Sequence, residues 1–331
     1  MSIHAMGRVI STAAIASALA ACGGGGDTPA PMPQPVAITS ENAPSVAAEA
    51  INAGGAGLAG DPALTGVQVS AASAPPASAM SALAGAVRKG LTATAPAAVV
   101  GATFTETVAC TNGGSVTLTV NVATPGTVAA GDRVDFSFAN CVEGATTSNG
   151  GLSLTYASIN GAGTLVVADL AASQFTLSTL GIAGRINGSV RMTLDDTDPT
   201  KSVVAVAGSS FTFERLLNGN VRATRTLSNY SYRLETATAT LTTSETFDYT
   251  ASGTFPRIGS VSFRALTIQP VVTLAGALHP SAGTAMAIGA SGSSLLFTVL
   301  SNGLQLDVDS NGDNVIDVTL IRTWAQIDAE L

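Results

Sequence analysis

From about Thr103 to the C-terminus, apolar and polar side chains alternate with a period of two. Val116, Leu118, Val120 and Val122 are interleaved with Thr117, Thr119 and Asn121, and Val134, Phe136 and Phe138 with Asp135, Ser137 and Ala139. Leu152, Leu154 and Tyr156 enclose Ser153 and Thr155, and the pattern returns at Val190–Leu194, Phe211–Phe213, Tyr230–Leu234 and Leu304–Val308. This period places every apolar residue on one face of a strand, and one dry face with one wet face is the mark of an antiparallel sheet. Turn-forming pairs separate the runs at short intervals: Asn112-Gly113, Pro125-Gly126, Asn149-Gly150, Asn160-Gly161, Asn187-Gly188, Asn218-Gly219, Asn302-Gly303 and Asn311-Gly312. Asn and Gly both tolerate positive φ, so these pairs predict tight hairpins, with mid-strand bulges as the alternative at some of them. The expected fold is mainly β: a large antiparallel sheet of roughly a dozen strands or more, curved or forming a partial barrel, over residues 100–331.

Upstream the period disappears. Residues 37–99 are rich in Ala and Gly, with two short helix candidates, Ser45 to Asn52 and Ala77 to Leu91, the second ending in Arg88-Lys89-Gly90. Gly55-Ala56-Gly57-Leu58-Ala59-Gly60 fits a nucleotide-binding glycine pattern, but it follows a helix candidate instead of a strand and reads as a loop. The wet face of the sheet is Thr- and Ser-rich and poor in charge, which leaves its edges weakly guarded. The N-terminal helices are the nearest elements able to cover a face or an edge.

Residues 1–21 have the form of an export signal: Arg8, then a short apolar core from Val9 to Ala18, too short to span a bilayer, then small residues. Leu19-Ala20-Ala21-Cys22 resembles the lipobox of bacterial lipoproteins at every position. In that family the Cys sulfur receives a diacylglycerol, cleavage falls just before it, and the new amino group is acylated. The resemblance therefore implies an acylated (palmitate-type) Cys22, with Gly23 at the next position favouring the outer membrane. Residues 22–36, a Gly run followed by alternating prolines, read as the lipidated Cys and a flexible tether.

The chain of 331 residues carries 14 basic and 22 acidic side chains, for a net charge of −8. This acidic balance excludes a nucleic-acid partner and makes lipid, not a polybasic patch, the link to a membrane. With Cys22 acylated, Cys110 and Cys141 remain as an even pair in an oxidising compartment and are expected to form a disulfide, against the alternative of two buried thiols. Such a bond closes a loop of about 30 residues, worth roughly 3–4 kcal/mol in the chain-entropy account.

The most chemically suggestive segment runs from Asp307 to Asp317. Counted from Asp309, it resembles the first nine positions of an EF-hand calcium loop, with oxygen donors at Asp309, Asn311, Asp313 and Asp317 and the backbone carbonyl of Val315. Asn314 replaces the turn Gly of that motif and Leu320 replaces its closing Glu. A weak calcium site is thus set against an Asp/Asn turn that hydrogen-bonds its own backbone. No other cofactor is suggested.

Once His4 leaves with the signal, His279 is the sole histidine, and no nucleophile-elbow motif is present; no enzymatic activity is expected. Arg185, Arg191, Lys201, Arg215, Arg222, Arg225, Arg233, Arg257 and Arg264 are interspersed with seven acids, which reads as cross-strand charge pairing on a solvated face. Trp324 reads as core or edge cover.

Taken together, the lipobox and Gly-rich tether, Cys110-Thr111-Asn112-Gly113-Gly114-Ser115 with Phe138-Ala139-Asn140-Cys141, and the ending from His279-Pro280 to Thr323-Trp324 resemble a group of uncharacterised β-rich proteobacterial outer-membrane lipoproteins. The resemblance implies a lipid-anchored envelope protein with a non-catalytic structural or binding role. The alternative is a carrier or binder of a hydrophobic ligand in a curved-sheet cavity; an envelope polymer is a further expected partner class.

Overall fold

The computed structural model describes residues 33–51, 103–124, 128–143, 146–179 and 182–330. The segment expected to be an export signal, Cys22, the glycine pattern at Gly55–Gly60, the helix candidate Ala77–Leu91 and the expected turn at Pro125-Gly126 lie outside them.

The expected class is observed: one large sheet that does not close into a barrel. After a two-residue strand, β1 (Gln34–Pro35), and a helix, α1 (Ala43–Ile51), the chain runs through fourteen strands in sequence order. They are β2 (Thr103–Ala109), β3 (Ser115–Asn121), β4 (Arg133–Glu143), β5 (Thr146–Ile159), β6 (Leu165–Thr179), β7 (Ile182–Asp195) and β8 (Lys201–Leu217), then β9 (Asn220–Ala237), β10 (Thr243–Phe255), β11 (Gly259–Thr273), β12 (Ala282–Ile288), β13 (Ser294–Leu300), β14 (Gly303–Asp309) and β15 (Val318–Thr323). A short helix, α2 (Trp324–Asp328), follows β15 and is closed at its start by a capping box between Thr323 and Gln326. Every pairing from β2 to β15 is antiparallel and between neighbours, the simplest consequence of short hairpins between alternating runs.

Two of the Asn-Gly pairs expected as hairpins are instead mid-strand bulges. Asn149-Gly150 sits inside β5 and Asn187-Gly188 inside β7. The Asn149 carboxamide oxygen accepts from the Asn140 N–H of β4 at 2.8 Å, and that of Asn187 accepts from the Gln174 N–H of β6 at 2.7 Å. Asn140 and Gln174 are held at φ 48° and 49°, and the pairing register shifts beside them. A Cβ on Gly150 would stand 2.2 Å from the Gln174 carbonyl oxygen, so only glycine lets these strands approach. Further irregularities at Ser189/Arg191 and Asp248/Thr250 carry the disturbance across the central strands. Each bulge bends its strand and exchanges the inward parity: Val166, Ala168, Leu170 and Ala172 are buried in β6 before Gln174, and Phe175 after it. Turns form as expected at Asn112-Gly113, Asn160-Gly161, Asn218-Gly219 and Asn302-Gly303.

The inner face belongs to one hydrophobic core that runs from Val120 of β3 to Val308 of β14. All four tyrosines of the chain, Tyr156, Tyr230, Tyr232 and Tyr249, are buried in it. On the outer face hydroxyl side chains pair across strands, as at Thr107–Thr117, Thr212–Thr226 and Thr254–Ser260.

Part of the stretch expected to be tether is built into this fold. Gln34 and Pro35 pair in parallel with Val261 and Ser262 on the edge of β11 that β12 leaves free, and the Val36 N–H donates to the Ser262 carbonyl at 2.9 Å. Val36 in turn accepts from Ala290 at 2.6 Å, and the Ile38 N–H donates to Ser293 Oγ at 3.0 Å. Helix α1 then crosses the inner face with eight of its nine residues buried. Apart from Ser45 and Glu49, both paired, α1 is apolar throughout and so is buried, and it is the covering element that the sheet's composition called for.

Candidate functional site

The inner face beneath the C-terminal end of α1 holds a buried ion pair and a run of buried phenols. Glu49 and Arg225 form a bidentate pair, with Arg225 Nε 2.8 Å from Glu49 Oε2 and a second nitrogen 3.0 Å from Oε1. Their side chains are 2% and 8% exposed. The Tyr249 hydroxyl donates to the Ala50 carbonyl, meeting one of the acceptors that a helix end leaves open. Along β9 and β10 the polar track continues: Tyr232 donates to Glu245, and burial pushes the Glu245 carboxyl up to about 7. Tyr230 stacks parallel to Tyr232 with ring centroids 6.4 Å apart and lies 6.1 Å from Tyr249. Its hydroxyl is buried with no hydrogen-bond partner. Burial and the neighbouring Glu245 hold the Tyr230 proton in place well beyond the ordinary phenol range.

The Glu49–Arg225 pair was not foreseen. Arg225 stood among nine bases read as surface partners, and alternation assigns it to the inner face only once Ala223 and Leu227 are known to be buried. A signal did exist: one acid in an otherwise Ala/Val helix needs a buried base.

The remaining bases largely follow expectation. Arg191 pairs with Asp169, Arg264 with Asp248, Arg185 with Glu214, and Lys201 and Arg233 with Glu235, all across the outer face. Arg257 donates to the Ala329 carbonyl at 2.9 Å.

Cys110 and Cys141 are joined in a disulfide with Cα atoms 5.3 Å apart. The Asn112 N–H donates to the Val142 carbonyl at 2.9 Å and the Val142 N–H to the Gly113 carbonyl at 2.8 Å, so the disulfide and these bonds fasten the β2–β3 turn to the bulged end of β4. His279 stacks on Trp324 at 4.7 Å and approaches Asp328 at 3.5 Å, while half-buried Trp324 packs against the core.

The acidic loop between β14 and β15 closes on itself. Buried Asp309 accepts from the N–H groups of Gly312 and Asn314, both at 2.7 Å, and Asp313 from that of Val315 at 2.8 Å. Asn311 accepts from the Asp313 N–H at 2.8 Å, and Asp317 from the N–H and hydroxyl of Ser310. Those Ser310 bonds hold the Asp317 carboxyl below the usual range. A calcium ion held by Asp309, Asn311, Asp313 and Asp317 with the Val315 carbonyl would compete with these donors for the side-chain oxygens. Among the described residues no group of three or more His, Cys, Asp or Glu side chains converges as a metal cage.

No protein-family model, no curated protein and no solved structure matches this chain.

Proposed function

We propose that the chain is a lipid-anchored, non-catalytic protein of the outer-membrane envelope with a structural or binding role. The observation that carries this reading is Cys22 in the sequence Leu19-Ala20-Ala21-Cys22, twelve residues before the chain enters the sheet at Gln34. Three acyl chains there make attachment practically permanent, since each buried methylene is worth about 0.8 kcal/mol and one chain alone binds reversibly. A structural role is supported by the inner-face apolar side chains, which pack with those of α1 into one buried core. The test is maturation in cells: Cys22→Ala and the signal-peptidase inhibitor globomycin should each leave an unprocessed precursor. Normal cleavage and membrane retention in both would overturn the anchor.

One observation favours the second reading, a carrier of a hydrophobic ligand. A buried phenol without a partner costs about 1–3 kcal/mol, and phenylalanine would remove that cost unless something accepts from Tyr230. Under this reading, native mass spectrometry of the purified protein finds a neutral, acceptor-bearing apolar molecule that Tyr230→Phe loses. An empty protein whose melting temperature rises in Tyr230→Phe would leave the structural role alone.

A further inference from the structure

The acidic loop projects an apolar pair. With its carboxylates turned to the loop's own N–H groups, the exposed residues include Val315 and Ile316, 62% and 49% exposed. This loop stands next to the point where the chain joins the sheet. A Cβ on Gly312 would lie 2.5 Å from the Ser291 carbonyl oxygen, and Ala290, one residue earlier, donates to Val36. Val315 and Ile316 therefore belong to the part of the rim beside β1.

The length of chain before β1 decides which way this rim faces. From Cys22 to Pro33 there are eleven residue steps, which at about 3.6 Å each reach at most about 40 Å. Strand β11 continues for eleven residues beyond Ser262, about 36 Å at ~3.3 Å per residue, so the chain before β1 would have to be almost fully extended to reach its far end. Its far end leads to the β11–β12 loop with Leu278, 85% exposed. A lipid on Cys22 thus holds the Val315–Ile316 end near the bilayer and the Leu278 end away from it.

We propose that the rim bearing Val315 and Ile316 rests on the lipid surface to which Cys22 is anchored. The proposal rests on the lipid-anchor reading. Asp313 and Asp317, in the same loop, fit a zwitterionic surface and are repelled by an anionic one. The loop's internal hydrogen bonds hold the pair in place, so insertion orders no further backbone.

The experiment uses the full-length acylated protein reconstituted into vesicles of phosphatidylethanolamine and phosphatidylcholine. With Cys110 and Cys141 joined and Cys22 acylated, Ile316→Cys supplies a single free thiol for a polarity-sensitive fluorophore, and Leu278→Cys supplies the control. The probe at 316 should shift to the blue on reconstitution and be quenched by lipid-borne quenchers, while the probe at 278 stays in water. Adding Val315→Asp to Ile316→Cys should reverse the shift with acylation intact. A probe at 316 that remains as wet as the one at 278, or a shift that survives Val315→Asp, overturns the proposal. Mass analysis of the same preparation shows separately whether Cys22 is acylated; a bare Cys22 overturns the anchor and this inference with it.

Discussion

Glu49→Ala is expected to destabilise the domain by about 3–5 kcal/mol, the usual cost of removing one partner from a buried ion pair. The substitution takes away the carboxylate that Arg225 grips through two bonds at a site closed to water, and leaves the guanidinium in the core. It also loosens α1, which is held otherwise by apolar contacts, the Tyr249–Ala50 bond and the Ser45–Glu330 bond at 2.6 Å. Arg225→Ala should cost a similar amount. The double replacement Glu49→Met with Arg225→Met should cost far less than the sum of the two, because apolar side chains of similar volume meet no desolvation penalty. Urea unfolding of the four proteins measures this. Asp169→Asn is the contrast: its pair with Arg191 is 48% and 59% exposed and screened by water, and the loss should be small beside that of the buried pair. Equal effects at the two pairs would mean that α1 does not seat on Arg225 in solution.

The second large effect is a stability that declines as pH rises. The Glu245 carboxyl is raised from 4.5 to about 7, with burial the main cause and the Tyr232 hydrogen bond opposing it. Below about pH 4.5 the group is protonated in both the folded and the unfolded chain and contributes no difference. Between about pH 4.5 and 7 the unfolded chain releases the proton first, so folding becomes less favourable, and above about pH 7 the penalty is complete. A shift of this size corresponds to about 3 kcal/mol. Glu245→Gln keeps a group able to accept from Tyr232 and removes the titration. It should unfold at higher urea concentration than the parent at pH 8 and match it near pH 4.5. Parallel curves for the two proteins across this range would mean that Glu245 is solvated in the native state.

The two effects meet in one place. Glu49 with Arg225, Tyr249, Tyr230, and Tyr232 with Glu245 form a line of polar groups under the end of α1, in a sheet whose inner face is otherwise apolar. Buried polar groups of this kind specify one arrangement, because an unpaired group costs more than a paired one contributes. The residues that seat α1 are therefore separate from those that fasten the edge, Cys110 and Cys141.

Much of this protein is legible along the chain. Alternation in Val116–Val122 or Leu304–Val308 reports a local property, the two-residue period of a pleated strand, and needs no partner to be read. The disulfide was legible because, once Cys22 is set aside as the expected lipid site, the count leaves Cys110 and Cys141 as an even pair. The loop from Asp309 to Asp317 was legible as Asp/Asn chemistry, while its orientation was not, since the same oxygens serve a cation or the loop's own N–H groups. Asn149-Gly150 and Asn187-Gly188 left two outcomes open for a related reason: positive φ suits a hairpin and a bulge equally, and only the neighbouring strand, offering Asn140 or Gln174, selects the bulge. The sequence by itself determined the alternating runs as strands of one antiparallel sheet and the short turns between many of them; the parity changes at the bulges, and with them which face some side chains take, were left to the neighbouring strands. The tertiary structure alone decided that Gln34–Pro35 fills the free edge of β11, that α1 lies on the inner face, and that Glu49 meets Arg225 across 176 positions. Those are contacts between segments distant in sequence, and no local period encodes them.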